Sequence, residues 1–254
     1  MADRYSNPSG NAGNWDTTAT WSTSEGGSTG ASIPVDGDRA IIVAGDTVTN
    51  NGNHHVGSVE IQSGATLHGD GGAIIYLDDD GNANIFQNDG SVTNTPRLHF
   101  TNSSSRNAKF GSGTFGLISV EFSSTATLTM TSALTCGSLS IGSNSTLTTS
   151  GSNYALTVTG DITNSGTLTS NNSAISSRKL ISTGTLSGGG GVYTVTGAGL
   201  GDTVRTVDLG GTVSGNVDVT LTGAGNNRHE DLQASGNIRH LTINNAAAVV
   251  HLGR

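Results

Sequence analysis

Along most of the chain, apolar residues alternate with small polar ones over short stretches, as in Ala126-Thr127-Leu128-Thr129-Met130-Thr131 and Ala155-Leu156-Thr157-Val158-Thr159. A period of two sends successive side chains to opposite faces, so these stretches predict short strands with one buried face. Turn-forming pairs separate them: Asn51-Gly52, Asp80-Gly81, Asp89-Gly90 and the glycine run from Gly188 to Gly191. Glycine reaches left-handed backbone angles at little steric cost, which suits tight corners. A helix of ordinary length has no place in this pattern.

The apolar spacing also repeats. Gly57-Ser58-Val59-Glu60-Ile61 followed by Ala65-Thr66-Leu67 is echoed by Gly137-Ser138-Leu139-Ser140-Ile141 followed by Ser145-Thr146-Leu147. Val120, Phe122 and Leu128, and again Leu241, Ile243 and Val249, carry the same apolar-x-apolar-x5-apolar spacing, and Ile162 with Leu168 is a weaker echo. Copies about twenty residues apart are the signature of a solenoid. One such unit buries almost nothing alone. Stacked units share backbone hydrogen bonds at about 4.8 Å per coil and enclose a narrow apolar column. The expectation is an all-β chain forming a parallel β-helix, or β-solenoid, in which Val59, Val120, Leu139 and Leu241 line a common interior wall. Residues 1–56 are expected to form an N-terminal cap and attachment region, with Trp15 and Trp21 covering the open apolar end, and residues 57–254 the solenoid body.

Composition fits a slender core. Hydrophobic residues are 33% and charged residues 12% of the 254, against roughly 25% charged in an ordinary domain. The net charge of -8 is modest and the 11 Lys and Arg form no basic run, so nucleic acid is not an expected partner. The single cysteine, Cys136, allows no internal disulfide and reads as a small buried apolar group. Met1-Ala2-Asp3-Arg4-Tyr5-Ser6 lacks the basic and apolar regions of a signal peptide. The longest apolar runs, Ala40 to Ala44 and Ala246 to Leu252, fall far short of a bilayer span, so membrane insertion is not expected.

Several chemistries can be weighed. Paired carboxylates would be needed for a polysaccharide-cleaving spike, and the acids at hand are Asp78, Asp79, Asp80, Asp161, Asp202, Asp208, Asp218, Glu230 and Asp231. Most read as turn or strand-end residues, and with aromatic residues at 4% no extended sugar groove is expected; no catalytic residue is assigned. Asp78-Asp79-Asp80-Gly81-Asn82-Ala83-Asn84 has the oxygen density of a calcium loop, but counting from Asp78 puts Ala83 where an EF-hand wants glycine and Asp89 where it wants glutamate. A solvated acidic turn is the expectation there. His54, His55 and His68 are close in sequence, yet adjacent residues on a strand face opposite ways, which argues against one metal site. No metal ligand or cofactor-binding residue is assigned, and Gly188 to Gly191 lacks the lysine and helix of a phosphate loop.

Met1-Ala2-Asp3-Arg4-Tyr5, Gly13-Asn14-Trp15-Asp16, Trp21-Ser22, Gly26-Gly27, Gly30-Ala31-Ser32 and Ile33-Pro34 resemble the opening of a group of bacteriophage and prophage virion-associated proteins. The continuation, Pro34-x-x-Gly37-Asp38 to Ile41-Ile42, Gly45-x-x-Val48, Val59-x-Ile61 and Gly64-x-x-Leu67, is similar to the extracellular domain named for its eight glycines, an entry module of parallel β-helices. The resemblance covers about the first seventy residues. It implies a non-enzymatic structural part of a phage particle: a tail fibre, spike or surface decoration protein made in the host cytoplasm and located in the virion. Its expected partners are other virion proteins of capsid or tail, further copies of itself, with a homotrimer favoured, and a host surface glycan or receptor. A bacterial cell-surface adhesin of the same fold and a polysaccharide-degrading tailspike are the alternatives. The last run, Val250-His251-Leu252-Gly253-Arg254, carries no cap, which leads to the expectation that the chain continues or that another subunit covers its final coil.

Overall fold

The computed structural model describes residues 2–7, 11–197, 206–222 and 238–244. It is all-β, with 55% strand, wound as a parallel β-solenoid of about 8 turns. Among the described residues, every strand pairing but one is parallel and joins one coil to the next; the exception sets Asp3–Ser6 antiparallel to Trp21–Ser22.

Three stacks of strands wall the solenoid. The first runs through Arg39–Ile42, Ser58–Ile61, Asn84–Asn88, Arg106–Lys109, Ala126–Met130, Ser145–Thr148 and Thr167–Asn171, then the leading parts of Thr185–Val195 and Thr212–Leu221. The second begins as a four-stranded sheet of Ala12–Asn14, Thr47–Asn50, Thr66–Gly69 and Ser91–Thr93. Later coils supply that side from Leu134–Cys136 pairing with Leu156–Val158, then Ile175–Ser177, the trailing parts of the two long strands, and His240–Ile243. The third wall is the most regular. Its inner column pairs His54, Ile75, Leu98, Ile118, Leu139, Ile162, Leu180 and Val207 coil upon coil, each buried.

Period-two alternation accounts for inside and outside. On the first wall Leu128, Leu147, Leu168, Leu186 and Val213 form a buried column, while the residues on either side of each face outward and are partly or fully exposed. Those outward positions make two in-register files, Thr127-Thr146-Thr167-Thr185-Thr212 and Thr129-Thr148-Thr169-Ser187-Ser214. β-Branched threonine suits the pleated surface, which explains how a hydroxyl-rich chain fills its strands. Buried asparagines finish coils where the backbone turns: Asn164 donates to Ser182 Oγ (2.9 Å) and the Thr185 carbonyl (3.0 Å).

Several placements differ from the sequence expectation. Stacking begins before residue 57, because Arg39–Ile42 and Thr47–Asn50 are already in register with the next coil, and Asp3–Ser6 lies parallel on Arg39–Ile42. The repeat copies do not share one wall. Val59 and Ile61 lie on the first wall, Leu67 on the second, Val120, Leu139 and Ile141 on the third, Leu128 and Leu147 on the first, and Leu241 on the second. The register at Val120 is also shifted by two: Ile118 pairs with Leu139 and Val120 with Ile141. A two-residue slip keeps the same side chains inward, so the apolar pattern is indifferent to it. Phe122 is buried in the corner after that strand rather than in it. Ile243 is 46% exposed instead of buried, and Leu241 is half-buried, since no described coil lies over His240–Ile243. Val249 lies outside the described residues.

Candidate functional site

At the N-terminal end, Trp15 and Trp21 are fully buried and meet edge to face at 5.1 Å, with the Trp21 indole N–H donating to the Trp15 carbonyl (2.8 Å). Trp15 stacks at 5.2 Å on His54, the first residue of the third wall's inner column. The two rings therefore sit over that column with no open face for a ligand. Burial lowers the pKa of His54, and Asp16, 3.4 Å from its Nε2, partly offsets this.

His55 faces outward, as strand alternation requires. It stacks face to face on Tyr76 at 4.3 Å, and Tyr76 leans on His99 at 5.1 Å, forming a short ladder along the third wall. Tyr76 thus has a ring neighbour on each side. Asp78 accepts from His55 (2.8 Å) and Thr101, and Glu121 lies 3.4 Å from His99. His68 is on the second wall, bonded to Thr93 at 3.0 Å. The three histidines are thus distributed over the interior and two different walls.

The acidic run 78–80 is an organised loop and not a solvated turn. Asp79 takes two hydrogen bonds from Arg106 (2.9 and 2.7 Å). Asp80 is buried and accepts from Ser58 Oγ and from the backbone and side-chain nitrogens of Asn82 (2.9 and 2.5 Å). Elsewhere Asp89 is held below the usual carboxylate range by hydrogen bonds from Lys109 and Gln87. Asp218 is lowered by Arg239, which donates twice (2.8 and 2.6 Å), and Asp161 pairs with Arg178 (2.9 Å). Asp208 caps the amide of Gly210 (3.1 Å); Asp202, Glu230 and Asp231 lie outside the described residues. These carboxylates are spread over different coils and committed to local partners. Among the described residues, no three His, Cys, Asp or Glu side chains gather as a metal site, and no helix is long and apolar enough to cross a membrane.

A concave feature lies at the corner beneath this loop. A cavity of about 230 Å³ is lined by Arg39 and Glu60 on one side and by Asn82, Asn84 and Gln87 on the other, with Val59 behind. Sequence reasoning passed over these residues because they belong to three successive coils, which only the stacking register brings together.

Comparison with protein-family models, curated proteins and solved structures finds no match to this chain.

Proposed function

We propose that this chain is a non-enzymatic structural component of a bacteriophage particle, a fibre, spike or decoration protein that attaches through its N-terminal region and projects its solenoid. The observation that carries the reading is the eight-residue inner column of the third wall, which begins under Trp15 and continues coil on coil to Val207. At about 4.8 Å per coil such a column spans roughly 35 Å, enough for a stiff spacer with one end sealed and a hydroxyl-covered shaft. Rigidity here comes from backbone ladders and not from disulfides, which suits a part that is made in a reducing cytoplasm and then works outside it. The resemblance of residues 1–34 to virion-associated openings supplies the particle context. A homotrimer is part of the proposal, on the symmetry common to such appendages.

Quantitative mass spectrometry of purified particles from the host that carries the gene tests this. The reading expects peptides of this chain in the particles, in hundreds of copies for a capsid decoration or far fewer for a tail or vertex appendage. Absence from particles, with recovery in the bacterial envelope, would overturn it in favour of the adhesin.

A further inference from the structure

The cavity at the corner of the second and third coils owes its shape to a break in the first wall. Asn84 pairs with Asn107 and Phe86 with Ala108, so Ile85 is an extra residue, a β-bulge. On the other side, pairing with Ser58–Ile61 starts only at Phe86 opposite Val59. The first residues of the strand thus leave the ladder on that side and open a hollow between coils.

The rim is held rigidly. The amides of Asp78 and Asp79 donate to the carbonyls of Val56 (2.8 Å) and Gly57 (3.2 Å). Gly57 leaves room for this approach, since a Cβ there would lie 2.5 Å from the Asp80 Cβ. Asp79 adopts φ +107°, a costly angle for a side chain with a Cβ, and the two bonds from Arg106 keep it there. Asp80 then fixes the Asn82 amide nitrogen and leaves its carbonyl oxygen for a ligand. Across the hollow, Arg39 donates to Glu60, which leaves further guanidinium donors and the second carboxylate oxygen. Asn84 donates to Gln87 (3.2 Å), aligning both amides on the same rim.

This set combines one cation and one anion, paired with each other, the carbonyl oxygen of Asn82, and the amides of Asn84 and Gln87, which keep donor and acceptor capacity beyond their bonds to each other and to Asp89. Such a lining suits a neutral ligand whose groups also do both, which describes a hydroxyl. The volume falls below the roughly 300–1,000 Å³ of sites for drug-sized molecules and fits one small ring. We propose that this cavity binds a single hexose ring of a glycan through its hydroxyl groups. With no aromatic wall the single-site affinity is weak, and useful binding comes from many copies engaging one glycan surface. The site stands independently of the particle reading.

Saturation-transfer NMR on the full chain, with the methyl glycosides of glucose, galactose and N-acetylglucosamine as probes, tests it, together with amide shift mapping. At least one probe is expected to receive saturation and to shift the amides of Arg39, Glu60, Asn82, Asn84 or Gln87. The double variant Asn82→Ala, Gln87→Ala removes two partners from the rim and is expected to weaken that binding by roughly tenfold or more. Thr148→Ala, on the same wall but away from the hollow, is expected to bind as the parent does, and the amide spectra confirm that both variants remain folded. No transfer to any of the three sugars, shifts confined to another part of the solenoid, or equal binding by the double variant would overturn the proposal.

Discussion

Replacing Gly184 by alanine probes how closely the coils stack. Gly166, Gly184 and Gly211 stand one above another at the corner leading into the first wall, each immediately before a Thr-apolar-Thr or Thr-apolar-Ser strand. A Cβ on Gly184 would overlap the carbonyl oxygen of Gly166 and lie 2.6 Å from the carbonyl carbon of Ser165. All of these atoms are backbone, so no side-chain rotation relieves the clash. The coil must lift, at the expense of the bonds from Thr185 N to Gly166 O (2.7 Å) and from Gly184 N to Asn164 O (3.1 Å). Overpacking costs about 1–3 kcal/mol and each lost hydrogen bond about 1 kcal/mol, while the stiffer unfolded chain returns about 0.4–1 kcal/mol, which leaves a net loss of about 3 kcal/mol. Gly72→Ala is the matched control: nothing lies within 4 Å of its Cβ, so it keeps only the gain of about 0.4–1 kcal/mol from the stiffer unfolded chain. Because a solenoid is quasi-one-dimensional, the damage is local and is best read by amide hydrogen exchange. Thr185 and Thr212 should lose protection in Gly184→Ala while the amides around Ile61 keep theirs. If Gly184→Ala exchanged and melted like Gly72→Ala, the close stacking would be refuted.

Leu147 is fully buried between Leu128 and Leu168, so Leu147→Ala should cost about 2–5 kcal/mol, measured by urea unfolding; a loss below about 0.5 kcal/mol would mean that this column is not core. His54, whose pKa burial lowers, binds a proton less readily folded than unfolded. Stability is therefore full above the ordinary histidine pKa of about 6.5 and falls as the pH drops below it toward the folded value, levelling off beneath that. Melting temperature followed across this range should decline toward acid, and His54→Phe should flatten that part of the profile; an unchanged slope would remove His54 as the cause. Cys136 is buried and its thiol is pushed up to about 12, so an alkylating reagent at neutral pH should label it only after denaturant is added, and fast labelling of the native chain would contradict its placement.

Much of the architecture is legible in the sequence because a solenoid writes its rule locally. Period-two alternation marks strands and inward residues, and Leu139 with Ile162, and Leu147 with Leu168, are paired as their spacing implies. Which wall each strand joins is not legible. Corners differ in length, from the single Gly57 between His54–Val56 and Ser58–Ile61 to the loop 78–83 before Asn84, and a two-residue change moves the register without disturbing the pattern. That is why the spacing sets Val120 against Leu139 while the structure pairs it with Ile141. A better signal lies in the glycine or small residue before each Thr-apolar-Thr or Thr-apolar-Ser strand, which marks one corner of five consecutive coils. The hollow was illegible for a different reason: Arg39, Glu60 and Gln87 are far apart in sequence, and the acids at 78–80 looked like solvent-facing charge until Ser58, Arg106 and Thr101 supplied partners from other coils.

The stacking register itself is open to one direct measurement. In a Cys136→Ala background, a spin label at Thr129 is paired in turn with labels at Thr169, Ser187 and Ser214, which lie two, three and four coils away in the same outward file. The parallel solenoid requires the distance to grow by about 4.8 Å at each step, a straight staircase in narrow distributions. Distances that jump, reverse or spread broadly across that series would show that these strands are not successive turns of one wound ribbon.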